Sequence, residues 1–180
     1  MKPEISVQED VLYRGKVLTF NLQKARLLDG SLVDRTIIRT PGAVVIVPVS
    51  KDNEVRFVRQ YRAAAARWVL ELPAGGLNPG ETPEVAAPRE LLEETGDQAA
   101  TWISLGGFYT APGILDEYLH LFLAKDLTPG PNQLESDEHI EVVTLPWSEV
   151  IGRVSQGQIE DAKTISGLFQ AGLYLNLPFG

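Results

Sequence analysis

Apolar and polar positions alternate along much of the chain in short runs that turns separate, a pattern typical of strands joined by hairpins. Residues 17–39 have an extended pattern that is interrupted at Asp29-Gly30, a dipeptide that predicts a hairpin turn. The run at 43–49 is β-branched on both faces, which favours a buried strand. The sequence predicts further strands at 54–61, 68–72, 101–110, 117–124 and 140–145.

Three helices are predicted. The first begins at Pro83, which follows the N-cap residue Thr82, and it ends before Gly96, which suits a left-handed C-cap. One closing helix follows Pro146 and another covers 160–173. Helices and strands alternate irregularly, which favours an α/β (α+β) class with a mixed sheet between helices over a parallel doubly wound sheet.

The amino-acid composition argues against some classes of binding partner. The net charge of −8, from 16 basic and 24 acidic residues, argues against nucleic-acid binding, which needs clustered Lys and Arg. No run approaches the roughly 18 apolar residues of a membrane span, and the N-terminus does not resemble a secretory signal. The absence of cysteine suits a reducing cytoplasm. We therefore expect a cytoplasmic protein without a membrane or nucleic-acid partner, in which a phosphate ligand would need a cation or a few placed arginines.

Candidate chemistry lies in the segment 75–97, where a glycine-rich turn precedes the first helix. Glu90, Glu93 and Glu94 have the spacing i, i+3 and i+4, so their carboxylates project from one helix face. Like charges at this spacing repel by roughly 0.2–0.5 kcal/mol per pair. Mg²⁺ prefers carboxylate oxygens, so it would turn the repulsion into coordination. A solvated acidic face is the common alternative for an isolated motif of this kind, but the glycine turn favours a metal site.

In this segment the chain resembles the Nudix hydrolase family, whose signature is G-x5-E-x7-R-E-U-x-E-E-x-G-U, where U is a bulky apolar residue. Eight positions match: Gly75, Glu81, Arg89, Glu90, Leu91, Glu93, Glu94 and Gly96. Two residues depart from the expected pattern. Asp97 stands at the final apolar position, and Pro88 falls inside the predicted helix, at a cost of about 3 kcal/mol. We therefore expect the helix either to begin near Arg89 or to be kinked before it.

The resemblance covers nearly the whole chain and implies a fold. It predicts a Nudix-type α/β/α sandwich with a mixed central sheet over residues 41–180. Residues 1–40 are expected to form an N-terminal antiparallel β extension that pairs with a second subunit in a homodimer.

The resemblance also implies hydrolysis of a phosphoanhydride with Mg²⁺, or alternatively Mn²⁺, as the cofactor. Glu90 and Glu94 are the first expected metal ligands, followed by Glu93 and the backbone carbonyl of Ala74. Arg89 is expected to brace the glycine-rich loop through Glu81 rather than to touch the substrate.

A base that activates water is expected from the acidic loop after the main helix. Glu138 is the first candidate, with Glu135 and Glu141 in reserve. Charged loop residues are common, so a merely solvated acid is an equally good reading of any one of them.

Several residues resemble the ADP-ribose pyrophosphatase branch of the family. Arg59, Gln60 and Arg62 precede the glycine turn, and Pro112 lies 16 residues beyond Gly96, where that branch carries a proline. These four are the expected substrate-binding residues, and a guanidinium suits a phosphate because it donates two hydrogen bonds at once. A role in surface solubility is the alternative for the arginines.

The expected substrate is a nucleoside diphosphate derivative, with ADP-ribose, cleaved to AMP and ribose 5-phosphate, in first place. A nucleotide sugar such as GDP-mannose or UDP-glucose is the alternative within the same chemistry. A non-catalytic nucleotide-sensing domain on the same fold is the alternative from another class, because a fold does not fix function. Such a sensor would bind ADP-ribose without consuming it.

Overall fold

The structure, a computed structural model, describes residues 3–133 and 140–178. The strands in these ranges are β1 Glu4–Arg14, β2 Thr19–Leu27, β3 Leu32–Arg39, β4 Ala43–Pro48, β5 Glu54–Arg62, β6 Arg67–Glu71, β7 Ala74–Gly76, β8 Gln98–Tyr109, β9 Tyr118–Thr128 and β10 Ile140–Pro146. The helices are α1 Pro83–Thr95, α2 Trp147–Ser155 and α3 Ala162–Leu175. The strands form three sheets with the orders β1-β2-β3, β10-β5-β6 and β7-β4-β9-β8.

The chain divides into two compact units. The first contains the residues up to Gly42 together with Tyr109–Tyr118, and the second contains Ala43–Phe108 and the residues from Leu119 onward. The predicted extension at 1–40 therefore lies in the first unit, which also includes a segment from the middle of the chain.

The first unit is built on the antiparallel sheet β1-β2-β3. The predicted hairpin turn between β2 and β3 is present: Gly30 has φ +86°, and the Ser31 N–H donates to Asp29 Oδ1 at 2.9 Å. The sequence pattern did not predict β1. The reason is that β1 is exposed along almost all of its length, so no buried face imposes an alternation of apolar and polar residues.

Strand β4 is the centre of the second unit. Val44 and Ile46 point to one face of the sheet, where they join the cluster that contains Leu91 of α1. Val45 and Val47 point to the other face, where they join the cluster that contains Leu168 of α3. The strand is buried on both faces, as its β-branched run predicts. It pairs in parallel with β9 and antiparallel with β7, so the sheet between the two helices is mixed.

Helix α1 begins and ends as predicted, at the N-cap Thr82 and the left-handed C-cap Gly96, whose N–H donates to the Leu92 carbonyl at 2.9 Å. The helix includes Pro88, so the expectation that regular helix starts only near Arg89 is wrong. Pro88 is exposed, and its ring therefore displaces no core side chain. Its helical position is held by the flanking packing, because Ala86, Ala87 and Leu91 are all fully buried.

Candidate active site

The acidic face of α1 is partly buried. Glu90 and Glu94 are only 9% and 5% exposed, whereas the Glu93 side chain is 36% exposed. Leu91, the residue after Glu90, is fully buried against β4 and fixes the rotation of α1. Buried carboxylates are costly unless cationic or hydrogen-bonding groups compensate them. The burial of Glu90 and Glu94 therefore distinguishes this face from an ordinary solvated one.

Strand β7 lies directly against these carboxylates. The Ala74 N–H donates to Glu94 Oε2 at 3.0 Å. A Cβ atom on Gly75 would lie 2.0 Å from Cδ of Glu90, far inside van der Waals contact, so position 75 requires glycine for space. The turn therefore brings backbone against both buried carboxylates.

Arg89 connects the glycine-rich loop to the acidic face. Its Nε and Nη2 donate to the two oxygens of Glu81 at 2.8 and 2.7 Å, and Nη2 also donates to the Gly76 carbonyl at 3.2 Å. Its Nη1 donates to Glu90 Oε1 at 2.7 Å and to Glu93 Oε2 at 2.9 Å. One guanidinium thus forms ion pairs with three carboxylates, and its planar fork fixes the loop relative to α1.

The charge network shifts the protonation of its members. The Arg89 hydrogen bonds, assisted by the Asn78 backbone N–H, lower the pKa of Glu81 to about 2. Glu81 in turn raises the pKa of Arg89, against the effect of burial. Both groups are therefore charged throughout the neutral pH range.

Comparison with known proteins identifies this arrangement. The model of the NUDIX domain matches residues 39–167, which is more than half of the chain. The chain belongs to the Nudix family. An ADP-ribose pyrophosphatase of Bacillus subtilis is 35% identical over 163 residues, which are 89% of this chain and 88% of that protein. A GDP-mannose pyrophosphatase of Cronobacter sakazakii is 36% identical over 137 residues, 71% of each chain.

A solved structure described as an ADP compounds hydrolase superimposes with a TM-score of 0.82 at 24% identity. The superposition covers 98% of this chain and 96% of that one. The predicted Nudix α/β/α fold and the predicted class of enzyme, one that hydrolyses a pyrophosphate bond, are therefore confirmed.

The residues of this Nudix site fit a hard divalent cation by their chemistry. Glu90, Glu93 and Glu94 offer carboxylate oxygens, and the missing Cβ of Gly75 leaves room for the Glu90 carboxylate. Within residues 3–133 and 140–178, however, no three acidic or imidazole groups are already gathered around one point. Arg89 Nη1 holds one carboxylate oxygen of Glu90 and one of Glu93.

The predicted substrate-binding residues lie in both units. Arg59, Gln60 and Arg62 are on β5, the middle strand of the sheet β10-β5-β6. Arg62 donates from Nε and Nη2 to Glu71 at 2.7 and 2.6 Å. Arg59 pairs with Glu141 at 3.4 Å and lies over the ring of Trp68, 5.6 Å from its centroid.

Pro112 belongs to the first unit. It lines a cavity of about 350 Å³ together with Arg35, Arg39 and Asp116. Arg39 pairs with Asp116 at 3.3 Å, which ties the Pro112 segment to the end of β3.

Of the three candidate bases, only Glu141 lies among the described residues. Glu138 and Glu135 lie outside the described residues. Glu141, the other reserve candidate, is on β10 with its side chain 61% exposed and paired with Arg59.

The sequence did not predict a buried ionic cluster around Glu71, the last residue of β6. Glu71 is 2% exposed and accepts hydrogen bonds from both Arg62 and Lys163. Burial alone would raise the pKa of Glu71, but the Arg62 hydrogen bonds and the charge of Lys163 outweigh it and hold that pKa below its usual value. The signal in the sequence is one acid within the apolar strand Trp68-Val69-Leu70-Glu71-Leu72, because a buried acid requires a cationic partner.

Proposed function

We propose that this enzyme hydrolyses ADP-ribose to AMP and ribose 5-phosphate with Mg²⁺ as its cofactor, or Mn²⁺ in its place. The observation that carries the proposal is the placement of Glu90 and Glu94, two buried carboxylates on one helix face, directly against the Ala74–Gly75 backbone. The similarity to an ADP-ribose pyrophosphatase over 89% of the chain supports this choice of substrate.

The proposed metal ligands are Glu90 and Glu94 first, then Glu93 and the carbonyl of Ala74. A divalent cation held there would neutralise phosphate oxygens and lower the pKa of a water molecule. Arg89 and Glu81 act on this reaction by holding the loop and helix together, since their hydrogen bonds join Gly76 to the acidic face. Preorganised charge of this kind stabilises a transition state without reorganisation during the reaction.

The water is proposed to lose its proton to an acidic side chain near the start of β10. Glu138 remains the first candidate and Glu135 a reserve. Glu141 is the weaker choice, because its carboxylate already pairs with Arg59.

The substrate is proposed to contact Arg62, Arg59 and Gln60 of the second unit, and a role for Pro112 of the first unit stays a separate prediction. Arg62 is held by the buried Glu71, which presents its guanidinium in a fixed orientation. A fixed guanidinium loses little entropy when it binds a phosphate or ribose. Arg59 is more exposed than Arg62, and its partner Glu141 is exposed too, so it is freer to reorient.

A nucleotide-sugar substrate is the second candidate. The observation that favours it is the GDP-mannose pyrophosphatase that shares 36% identity with this chain. Both candidates require the same attack on a pyrophosphate bond and differ in the groups that the binding loops recognise.

A homodimer in the cytoplasm is the proposed state of the protein. Strand β1 leaves Ile5, Leu12 and Tyr13 63%, 58% and 64% exposed, and such apolar exposure is typical of an interface. None of the helices in the described part of the chain has the length and apolar character needed to cross a membrane. Light scattering should give the mass of two chains, and Leu12→Glu should give the mass of one. A monomeric wild type would contradict the dimer.

Product analysis of the purified protein with Mg²⁺ tests the proposed reaction. The panel contains ADP-ribose, GDP-mannose, UDP-glucose, diadenosine polyphosphates and nucleoside triphosphates. AMP plus ribose 5-phosphate, with ADP-ribose preferred, is the expected result. Preference for a sugar nucleotide would keep the chemistry and replace the substrate. Binding of ADP-ribose without turnover would indicate a sensor instead.

A further inference from the structure

The first turn of α3 is hydrogen-bonded to the chain segment that follows β6. The Leu72 N–H donates to Thr164 Oγ1 at 2.8 Å. The Thr164 hydroxyl donates to Asp161 Oδ2 at 2.6 Å, and the Thr164 N–H donates to the same oxygen at 2.9 Å. Thr164 is fully buried, so its hydrogen bond from Leu72 is shielded from water, whereas Asp161 is partly exposed.

An ionic contact joins the same two segments. Lys163 donates to the buried carboxylate of Glu71 and, at 3.0 Å, to Asp161 Oδ2. Asp161, Lys163 and Thr164, which we call the α3 anchor, therefore hold two consecutive residues, Glu71 and Leu72, by side-chain contacts. A buried network whose donors and acceptors all have hydrogen-bond partners holds its side chains in one arrangement.

Leu72 and α3 are closely packed where they meet. A Cβ atom on Gly167, one turn into α3, would lie 2.8 Å from Cδ1 of Leu72. Leu72 is itself fully buried. A shift of Leu72 would therefore move the backbone toward or away from α3 in a close-packed region, where small displacements are costly.

The segment held by the α3 anchor leads directly to the acidic face of α1. Two residues after Leu72, the Ala74 N–H donates to Glu94 Oε2 at 3.0 Å. The next residue, Gly75, lies against the Glu90 carboxylate. Hydrogen bonds of this kind tolerate only a few tenths of an ångström before they weaken, so the position of Ala74 depends on the position of Leu72.

We propose that Thr164 is a positioning residue for the metal site: its hydroxyl fixes the Leu72 backbone and thereby places Ala74 and Gly75 against Glu94 and Glu90. This inference rests on the proposed function, since it assigns metal binding to those carboxylates. Thr164 touches neither metal nor substrate and acts only through the backbone that precedes them.

The hydroxyl can be separated from the packing of the side chain. Thr164→Val keeps the shape and removes the hydroxyl, which leaves the buried Leu72 N–H without its acceptor. Thr164→Ser keeps the hydroxyl and removes a methyl group. Val150→Ala creates a cavity in fully buried core on α2 and is the control for a general loss of stability.

The experiment is a calorimetric titration of Mn²⁺ into the substrate-free wild type and each variant, with turnover of ADP-ribose measured against metal concentration. Thr164→Val should bind Mn²⁺ about 10-fold more weakly, and need correspondingly more metal for half-maximal turnover, while maximal turnover falls less. Thr164→Ser should recover the metal affinity. Val150→Ala should lose stability and keep that affinity. Amide exchange at Leu72 should accelerate in Thr164→Val alone.

Two results would overturn the inference: unchanged metal affinity in Thr164→Val, or an equal weakening in Val150→Ala. If Thr164→Val does not fold, Thr164→Ala takes its place, because it removes the same hydroxyl without placing a methyl group beside Asp161 Oδ2, and the same two results decide the inference. A wild type whose Mn²⁺ binding is absent or unaffected by Glu94→Gln would overturn the proposed function itself, and this inference with it.

Discussion

Gly75 and Glu90 are in such close contact that no side chain fits between them: a Cβ atom on residue 75 would lie 2.0 to 2.1 Å from the three carboxylate atoms. We therefore predict that Gly75→Ala displaces the Glu90 carboxylate and lowers kcat/KM about 100-fold, the effect expected of a displacement of about 1 Å in a catalytic group. Steady-state kinetics with a metal titration measures the change.

Gly76→Ala is the matched control for this substitution. A Cβ atom on Gly76 meets nothing within 4 Å, and this residue lies next in the same strand. It should keep kcat/KM within a factor of about three, well under 1 kcal/mol. Equal activity of the two alanine variants would show that the Glu90 position does not matter.

The pair Glu81–Arg89 predicts a specific acid sensitivity. The pKa of Glu81 is lowered from 4.5 to about 2 in the folded protein, so between these values the unfolded chain binds more protons than the native one. Stability from this pair is present above pH 4.5 and is lost as the pH falls toward 2. Urea unfolding between pH 3 and 6 should show a flatter pH dependence in Glu81→Gln than in the wild type. The same slope in both proteins would contradict the pairing.

Gly96, at the end of α1, is predicted to be more sensitive to substitution than Gly80, which precedes the helix. It has φ +76°, and a Cβ atom there would lie 2.1 Å from the Gly130 carbonyl oxygen. Gly96→Ala should lower the free energy of unfolding by about 2–5 kcal/mol, from the left-handed conformation and the clash together. Gly80 has φ +80° with open space around it, so Gly80→Ala isolates the conformational cost of about 1–2 kcal/mol. Thermal or urea unfolding should separate the two variants; equal losses would contradict the clash.

Pro88 offers a stabilising change. It is exposed within α1 and leaves the Glu84 carbonyl without its helical donor. Pro88→Ala should raise the free energy of unfolding by about 1–3 kcal/mol, because restoration of the helix outweighs the greater freedom of the unfolded chain. Differential scanning calorimetry measures the rise. A lower melting temperature would show that Pro88 contributes packing that its exposure does not reveal.

Residues close in sequence were the ones whose arrangement could be predicted from sequence. The ends of α1 at Thr82 and Gly96 follow from the local chemistry of helix caps. The common face of Glu90 and Glu94 follows from helical periodicity. Each of these features depends on a single element, so no knowledge of distant contacts was needed.

Features that depend on distant residues were missed. Glu71 meets Lys163 across 92 positions of sequence, and the Leu72 N–H meets Thr164 across the same interval. Strand β7 is only three residues long, too short for any periodicity to show. Its pairing with β4 contributes, together with the Leu72–Thr164 hydrogen bond, to the placement of Ala74 beside Glu94.

Hydrolysis of ADP-ribose by the wild type and by Glu94→Gln, followed by ³¹P NMR with saturating Mg²⁺, tests whether the buried carboxylates of α1 hold the catalytic metal. Glu94 accepts a hydrogen bond from Ala74, and glutamine keeps that acceptor while it removes the charge. We expect AMP and ribose 5-phosphate from the wild type and a rate at least roughly 100-fold lower from Glu94→Gln. Turnover at the wild-type rate in Glu94→Gln would contradict the assignment of the metal site to the buried face of α1.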